Sequence, residues 1–442
     1  MKFPDGFLWG SATSSYQIEG AVATDGRLPS IWDTFSHTPG RVLNGDTGDI
    51  ANRHYELFRD DVAMMADLGL QAYRFSIAWP RVFPQGVGPL NEKGLAFYDS
   101  LVDALLEKNI EPMITLYHWD LPQALQETGG WQSRDTVHAF ADYAALIAET
   151  LGDRVKHIAT HNEPWCVGFL GHWMGEHAPG ERGNLKAALQ VIHHVLLSHG
   201  LAVQAMRAIR PEADLGIVLN HTWSHAASDS EADIQAAHRH DGFFNRWFLD
   251  PLFRGEYPAD MLALYGDDAP VVQAGDLDNI STPIDFLGVN YYTRSVVADS
   301  LKPPLLLNHL RGEGPRTAMD WEVYAPGLCN ILTRIHQDYH PKALYVTENG
   351  AAYDDVLDAT TGGVHDPDRI EYLRQHLEAA KCAIDNGAPL KGYFVWSLMD
   401  NFEWAWGFDK RFGIVYVDYA SQKRVLKDSA LWFRELIVHN GW

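Results

Sequence analysis

A single α/β domain over residues 1–442, folded as a (β/α)8 barrel with long loops at the C-terminal face of its strands, is the architecture predicted by three features of the sequence. Short apolar runs alternate with amphipathic helical stretches eight times. Polar and aromatic residues cluster just after many of those runs. No low-complexity linker or abrupt change of composition marks a domain boundary.

The strand candidates are residues 7–10, 72–77, 112–117, 155–160, 215–219, 286–289, 344–347 and 392–396. Helical patterns between them cover residues 55–68, 94–108, 136–151, 185–209, 327–338 and 370–386. In the first of these, Leu57, Phe58, Val62, Met65 and Leu68 recur at helical spacing. An open, doubly wound sheet shows the same alternation, and no sequence repeat separates the two. The polar clusters do: spread over many strand ends, they converge at one place only if the sheet closes. Long loops are expected after the fourth strand (165–184) and the sixth (293–326).

The chain holds 35 Lys and Arg against 58 Asp and Glu, a formal charge of −23. That balance disfavours nucleic acid and anionic membranes as partners and would repel a phosphorylated substrate. A neutral small molecule fits better. Cys166, Cys329 and Cys382 lie far apart without CxxC spacing, so no disulfide framework is expected and a reducing compartment is the simpler reading. No secretory or membrane-spanning run is found, which predicts a soluble cytoplasmic protein, monomeric or homo-oligomeric.

Two carboxylates stand out. Glu163 in THNEP (160–164) and Glu348 in VTENG (346–350) each end a strand candidate, where an ionised group is costly unless paired. They are 185 residues apart in sequence, so distant strands would bring them to one cleft, and paired carboxylates are the equipment of glycoside hydrolysis. Other strand ends supply groups that match sugar hydroxyls: Gln17, His118, Asn162, Asn220, His221, Asn290, Tyr292 and Glu403. Trp119, Trp396 and Trp404 lie beside them and offer aromatic faces to a pyranose ring. Arg74, inside an apolar strand, needs an anionic partner; Glu348 and Asp120 are both candidates.

His193, His194 and His199, His238 with His240, and His157 with His161 invite a metal reading. None has HExxH spacing or a cysteine partner, and no metal is expected. No phosphate loop or dinucleotide fingerprint follows a strand, so no cofactor is implied.

Taken in order, the motifs resemble those of glycoside hydrolase family 1, the β-glucosidase family, along essentially the whole chain. They are FLWGSATSSYQIEG from Phe7, YRFSIAWPR from Tyr73, YHWDLP from Tyr117, NEP at Asn162, APG at Ala178, NYY at Asn290, TENG at Thr347, DNFEW at Asp400 and RFG at Arg411. The resemblance implies a retaining β-glucosidase acting on terminal β-glucosyl residues, and also on β-fucosides and β-galactosides. It implies Glu163 as acid/base and Glu348 as nucleophile. Gln17, His118, Asn162, Glu403 and Trp404 would hold the sugar, Trp396 would stack beneath it, and Tyr292 and Arg74 would contact the nucleophile. Cys166, Trp173, His177, Asn220, Phe244 and Trp321 would form the outer subsite. His161, where the family is often apolar, is expected to point into the barrel wall.

Rival readings are a 6-phospho-β-glucosidase and a non-catalytic sugar-binding relative. Against the first, Glu403 would repel a phosphate and Phe412 lacks the hydroxyl that would receive one. Against the second, both carboxylates are present. A thioglucosidase would carry Gln in place of Glu163, and a transglycosylase would use the same residues as a hydrolase.

Overall fold

The computed structural model describes residues 1–442. Eight parallel strands form its centre: β1 (Leu8–Ala12), β2 (Ala72–Ser76), β3 (Glu111–Tyr117), β4 (His157–Asn162), β5 (Asp214–Ala226), β6 (Phe286–Asp299), β7 (Leu344–Asn349) and β8 (Leu390–Trp396). Each pairs with its sequence neighbour, and β8 pairs with β1, so the sheet closes into a ring and the open-sheet alternative falls. Helices wrap the outside: α1 (His54–Asp67), α2 (Glu92–Glu107), α3 (Arg134–Leu151), α4 (Leu185–Ile209), α5 (Glu231–Asp241), α6 (Trp247–Arg254), α7 (Pro326–Tyr339), α8 (Pro367–Asp385) and α9 (Asp428–His439). The six helices predicted from periodicity form within three residues of their expected ends. Local chemistry starts several of them. The Asn184 side chain accepts from Ala187 N at the head of α4, and Pro begins both α7 and α8, where its missing N–H costs nothing.

Alternation along the strands sends one set of side chains into the barrel. Ala12, Ala72, Met113, Ala159, Val218, Phe286, Tyr345 and Phe394, one from each strand, pack together there with Trp396 and Phe412. Small residues on β1, β2 and β4 leave room for the large rings of β6, β7 and β8. Gly10 shows how tight the fit is: a Cβ at that position would sit 2.4 Å from the Phe394 ring. Replacing Phe394 by Ala would open this plug and cost about 3–5 kcal/mol. The opposite set, including Trp9, Tyr73, Ile114, Leu116, Ile158, Ile217, Leu287 and Val346, packs outward against the helices in one large apolar core.

Strands β5 and β6 run well past their predicted ends at 219 and 289. They stay paired beyond the barrel mouth, from Trp223 opposite Arg294 to Ala226 opposite Val297. Polar residues such as Asn220, His221, Thr222 and Ser224 break the apolar pattern there while the backbone ladder continues. The expected 293–326 loop therefore begins as strand, and residues Leu307–Leu310 fold back antiparallel on its end. The expected 165–184 loop likewise opens with a wide helical segment, Cys166–Met174. No helix is long and apolar enough to cross a membrane.

The cysteine expectation needs correction. Cys329 on α7 and Cys382 on α8 form a disulfide, with Cα atoms 5.8 Å apart, and only Cys166 is free. Sequence spacing hides the pairing, because 53 residues separate two positions on helices that lie side by side. The histidines bond to protein groups: His193 to Tyr257 and Asp276, His194 to the Trp131 carbonyl, His199 to Thr160, His240 to Ser224, and His157 to Glu111 and Asp214. His161 points into the wall as expected, bonding Ser198 on α4 and stacking on Phe140 of α3.

Candidate active site

At the C-terminal ends of the strands lies a cavity of about 440 Å³, within the usual range for a small-molecule site. Register builds its floor. Asn220 on β5 aligns with Asn290 on β6, and Asn290 aligns with Glu348 on β7. Across the ring, Trp396 on β8 aligns with Ala12, and Ala12 with Arg74 on β2. Residues far apart in sequence thus become one rank around the mouth.

Glu163 and Glu348 both reach the cavity. Arg74, fully buried, donates to Glu348 Oε1 at 2.6 Å and to Asn162 Oδ1 at 2.7 Å. That settles its partner as Glu348; Asp120 instead accepts from Ser15. Tyr292 donates its hydroxyl to Glu348 Oε2 at 2.7 Å. Glu163 has weaker company. Asn290 Nδ2 donates to its Oε1 at 2.6 Å, and the Cys166 thiol lies 3.0 Å from its Oε2.

Burial pushes both carboxyls above the ordinary range. Glu163 rises to about 7, through burial first and the Glu348 charge second, opposed by Asn290, Cys166 and Arg74. At Glu348 burial is opposed directly by the Arg74 guanidinium and by hydrogen bonds from Arg74 and Tyr292. The two groups therefore sit in electrostatically different places, one beside a cation and one beside an anion.

His118, Trp119, Trp396, Glu403, Trp404 and Phe412 line the same cavity. Burial and Arg74 hold His118 neutral. Its Nε2 accepts from Asn162 Nδ2, which leaves the proton on Nδ1, buried and without a protein partner. Glu403 Oε2 is also buried and unpartnered, and its carboxyl is raised to about 8 by burial and by the charges of Glu348 and Glu163. Orphaned polar atoms of this kind, facing a cavity, are what a hydroxyl-rich ligand satisfies. Three wall residues, Trp119, Glu163 and Trp404, have φ of 79°, 51° and 49°. Such left-handed backbone costs about 1–3 kcal/mol per non-glycine residue and is characteristic of functional sites.

Gln17, Asn162 and Arg74 are fully buried and bonded to protein groups around the cavity. The Gln17 amide donates to Asn401 Oδ1 and the Phe402 carbonyl, bracing the loop that carries Glu403. Trp321 lies at the outer part beside Tyr292 and Phe412, and Cys166, His177, Asn220 and Phe244 join it there. Trp173 does not; it packs against Phe169 and Phe243. Sequence reasoning missed Thr115, which accepts from Arg74, and Thr347, which donates to Asn290 Oδ1. Their positions in strands beside charged or amide residues were the available signal.

A (β/α)8 barrel that presents two buried carboxyls of unequal environment among tryptophans and orphaned polar atoms has the architecture of a glycoside hydrolase. The chain belongs to glycosyl hydrolase family 1, whose description matches residues 1–442. It is 49% identical over 442 residues to the 1,4-beta-D-glucan glucohydrolase of Thermotoga neapolitana, covering 100% of this chain and 99% of that one. It is 47% identical to the bifunctional beta-D-glucosidase/beta-D-fucosidase of Bifidobacterium breve, covering 100% and 99%. The solved family 1 β-glucosidase of Thermotoga maritima in complex with isofagomine lactam superposes with a TM-score of 0.97 at 48% identity, covering 100% and 99%.

Proposed function

We propose that this protein is a retaining β-glucosidase that removes terminal non-reducing β-D-glucosyl residues, and β-fucosyl residues as well, from small glycosides. The observation that carries the reading is the unequal carboxyl pair: Glu348 is clamped by Arg74 and Tyr292, while Glu163 is raised to about 7. Near-full-length relatives named as a glucan glucohydrolase and as a bifunctional glucosidase/fucosidase support the substrate class.

In this mechanism ionised Glu348 attacks the anomeric carbon, and Glu163, still protonated, gives its proton to the departing oxygen. The resulting glycosyl ester on Glu348 carries no charge. One of the two influences that raise Glu163, the Glu348 charge, is then gone, so Glu163 holds a proton less tightly and becomes the base for incoming water. Two inversions return the β-configuration. The glycone would sit over Trp396, with its hydroxyls on His118 Nδ1 and Glu403, and the leaving group would lie between Trp321 and Asn220. Glu403 would occupy the space a 6-phosphate needs without offering it a cation, and Phe412 offers it no donor.

Initial rates on p-nitrophenyl β-glucoside, β-fucoside, β-galactoside and 6-phospho-β-glucoside test this. Turnover of the unphosphorylated β-glucoside is expected. Turnover of the phosphorylated sugar alone, or of none, would overturn the proposal.

A further inference from the structure

Cys166 is the one free cysteine. It is buried at the start of the Cys166–Met174 helical segment, three residues after Glu163, and it lines the cavity. Its sulfur is 3.0 Å from Glu163 Oε2 and accepts a long contact from Asn220 Nδ2 at 3.9 Å. The other carboxyl oxygen, Oε1, is taken by Asn290 Nδ2 at 2.6 Å. A short N–H bond favours the unprotonated oxygen, which makes Oε1 the poorer site for the acid proton. The transferable proton therefore belongs on Oε2, and the thiol is the only side chain that hydrogen-bonds that oxygen.

Resting on the β-glucosidase reading above, we infer that Cys166 is a positioning residue for the acid/base: its thiol holds Oε2 of Glu163 and supports the ionised form needed for attack by water. A thiol suits both halves of the cycle. Its sulfur accepts a hydrogen bond while Glu163 is protonated, and its S–H donates once Glu163 is ionised. Burial and the neighbouring carboxylates keep the thiol itself protonated, so it neither competes for the proton nor acts as a nucleophile. The hydrogen bond is worth more to the anion than to the neutral acid, because an ionised acceptor strengthens it. Removing it should therefore slow hydrolysis of the glycosyl-enzyme more than its formation.

Two variants of similar size separate this from packing. Cys166→Val keeps the apolar volume and loses the donor; Cys166→Ser keeps a donor and loses apolar bulk. Each is compared with the parent on 2,4-dinitrophenyl β-glucoside, with active sites counted by titration with a 2-fluoro glucoside. For Cys166→Val, kcat is expected to fall about threefold to tenfold, the worth of one hydrogen bond. KM falls with it, kcat/KM changes less than twofold, and the alkaline limb of kcat/KM, read on cellobiose because its departure needs the acid, moves to higher pH. Cys166→Ser is expected to retain the parent's kcat and limb. Parent-like behaviour of the Val variant with loss in the Ser variant would assign Cys166 to packing and overturn the inference. An inactive parent would instead overturn the β-glucosidase reading, and this inference with it.

Discussion

Arg74 Nη1 and Glu348 Oε1 lie 2.6 Å apart at the bottom of the cavity, and both side chains are almost wholly removed from solvent. The cation comes from β2 and the anion from β7, so the pair joins strands that β1 and β8 separate in the ring. Replacing Arg74 by Met leaves Glu348 buried without its counter-charge. Stability should drop by about 3–5 kcal/mol in urea unfolding. Glu348 would also take up a proton at higher pH, so the acid limb of kcat/KM should move upward.

Replacing Glu348 by Gly should lower kcat by at least about 10⁴-fold while leaving the cavity open. Azide then has room to attack from the vacated side. Recovery of an α-glucosyl azide, identified by its anomeric proton coupling, is expected; a β-azide would contradict the assignment of Glu348 as nucleophile.

Loss of Glu163 should be felt unevenly. With Glu163→Ala, substrates with poor leaving groups such as cellobiose should lose about 10²–10⁴-fold in kcat/KM. 2,4-Dinitrophenyl β-glucoside, whose leaving group needs no proton, should lose far less. Equal losses on both would remove Glu163 from the acid role.

Glu163 should also change its acidity during turnover. In the free protein it titrates near 7, held there by burial and by the Glu348 charge. Esterification of Glu348 removes the second cause. The Glu163 carboxyl in the trapped 2-fluoroglucosyl-enzyme should titrate below its free value, as read by ¹³C-labelled glutamate; an unchanged value would leave the switch from acid to base without its cause.

Glu403 makes a stability prediction. Its carboxyl is raised to about 8 in the folded protein, above its ordinary 4.5. The native state therefore binds the proton more tightly than the unfolded chain, and stability is lost as pH rises through that window. At 1.36 kcal/mol per unit, the loss reaches about 5 kcal/mol above pH 8. Glu403→Gln has no proton to lose there. The variant should unfold at higher urea than the parent at pH 8, with the gap closing near pH 5, while its activity on the glucoside drops.

The eight strands were legible because each carries a compact apolar run, and six helices because their apolar stripes keep helical spacing. The extensions of β5 and β6 were not, since beyond the mouth they are held by backbone pairing between polar residues, which leaves no hydropathic trace. The two glutamates announced themselves by being charged at strand ends. The depth of other groups was less readable. In sequence Gln17 and Asn162 suggest sugar contacts alone; the structure adds bonds from them to the Phe402 carbonyl and to Arg74, a supporting layer the sequence does not show. Two-layer organisation of this kind depends on distances across the ring. The same blindness hid the Cys329–Cys382 pair, which adjacent helices bring together.

The plug of eight side chains beneath the cavity makes it a blind alley. A polysaccharide cannot be threaded through the barrel, so only a chain end can reach Glu348, and each encounter shortens the chain by one unit before it must let go. Traffic also has an order. The aglycone departs first, water follows by the path it vacates, and the freed sugar leaves last through the same mouth. Free sugar and substrate must use that same mouth, because the closed floor of the barrel leaves no second exit.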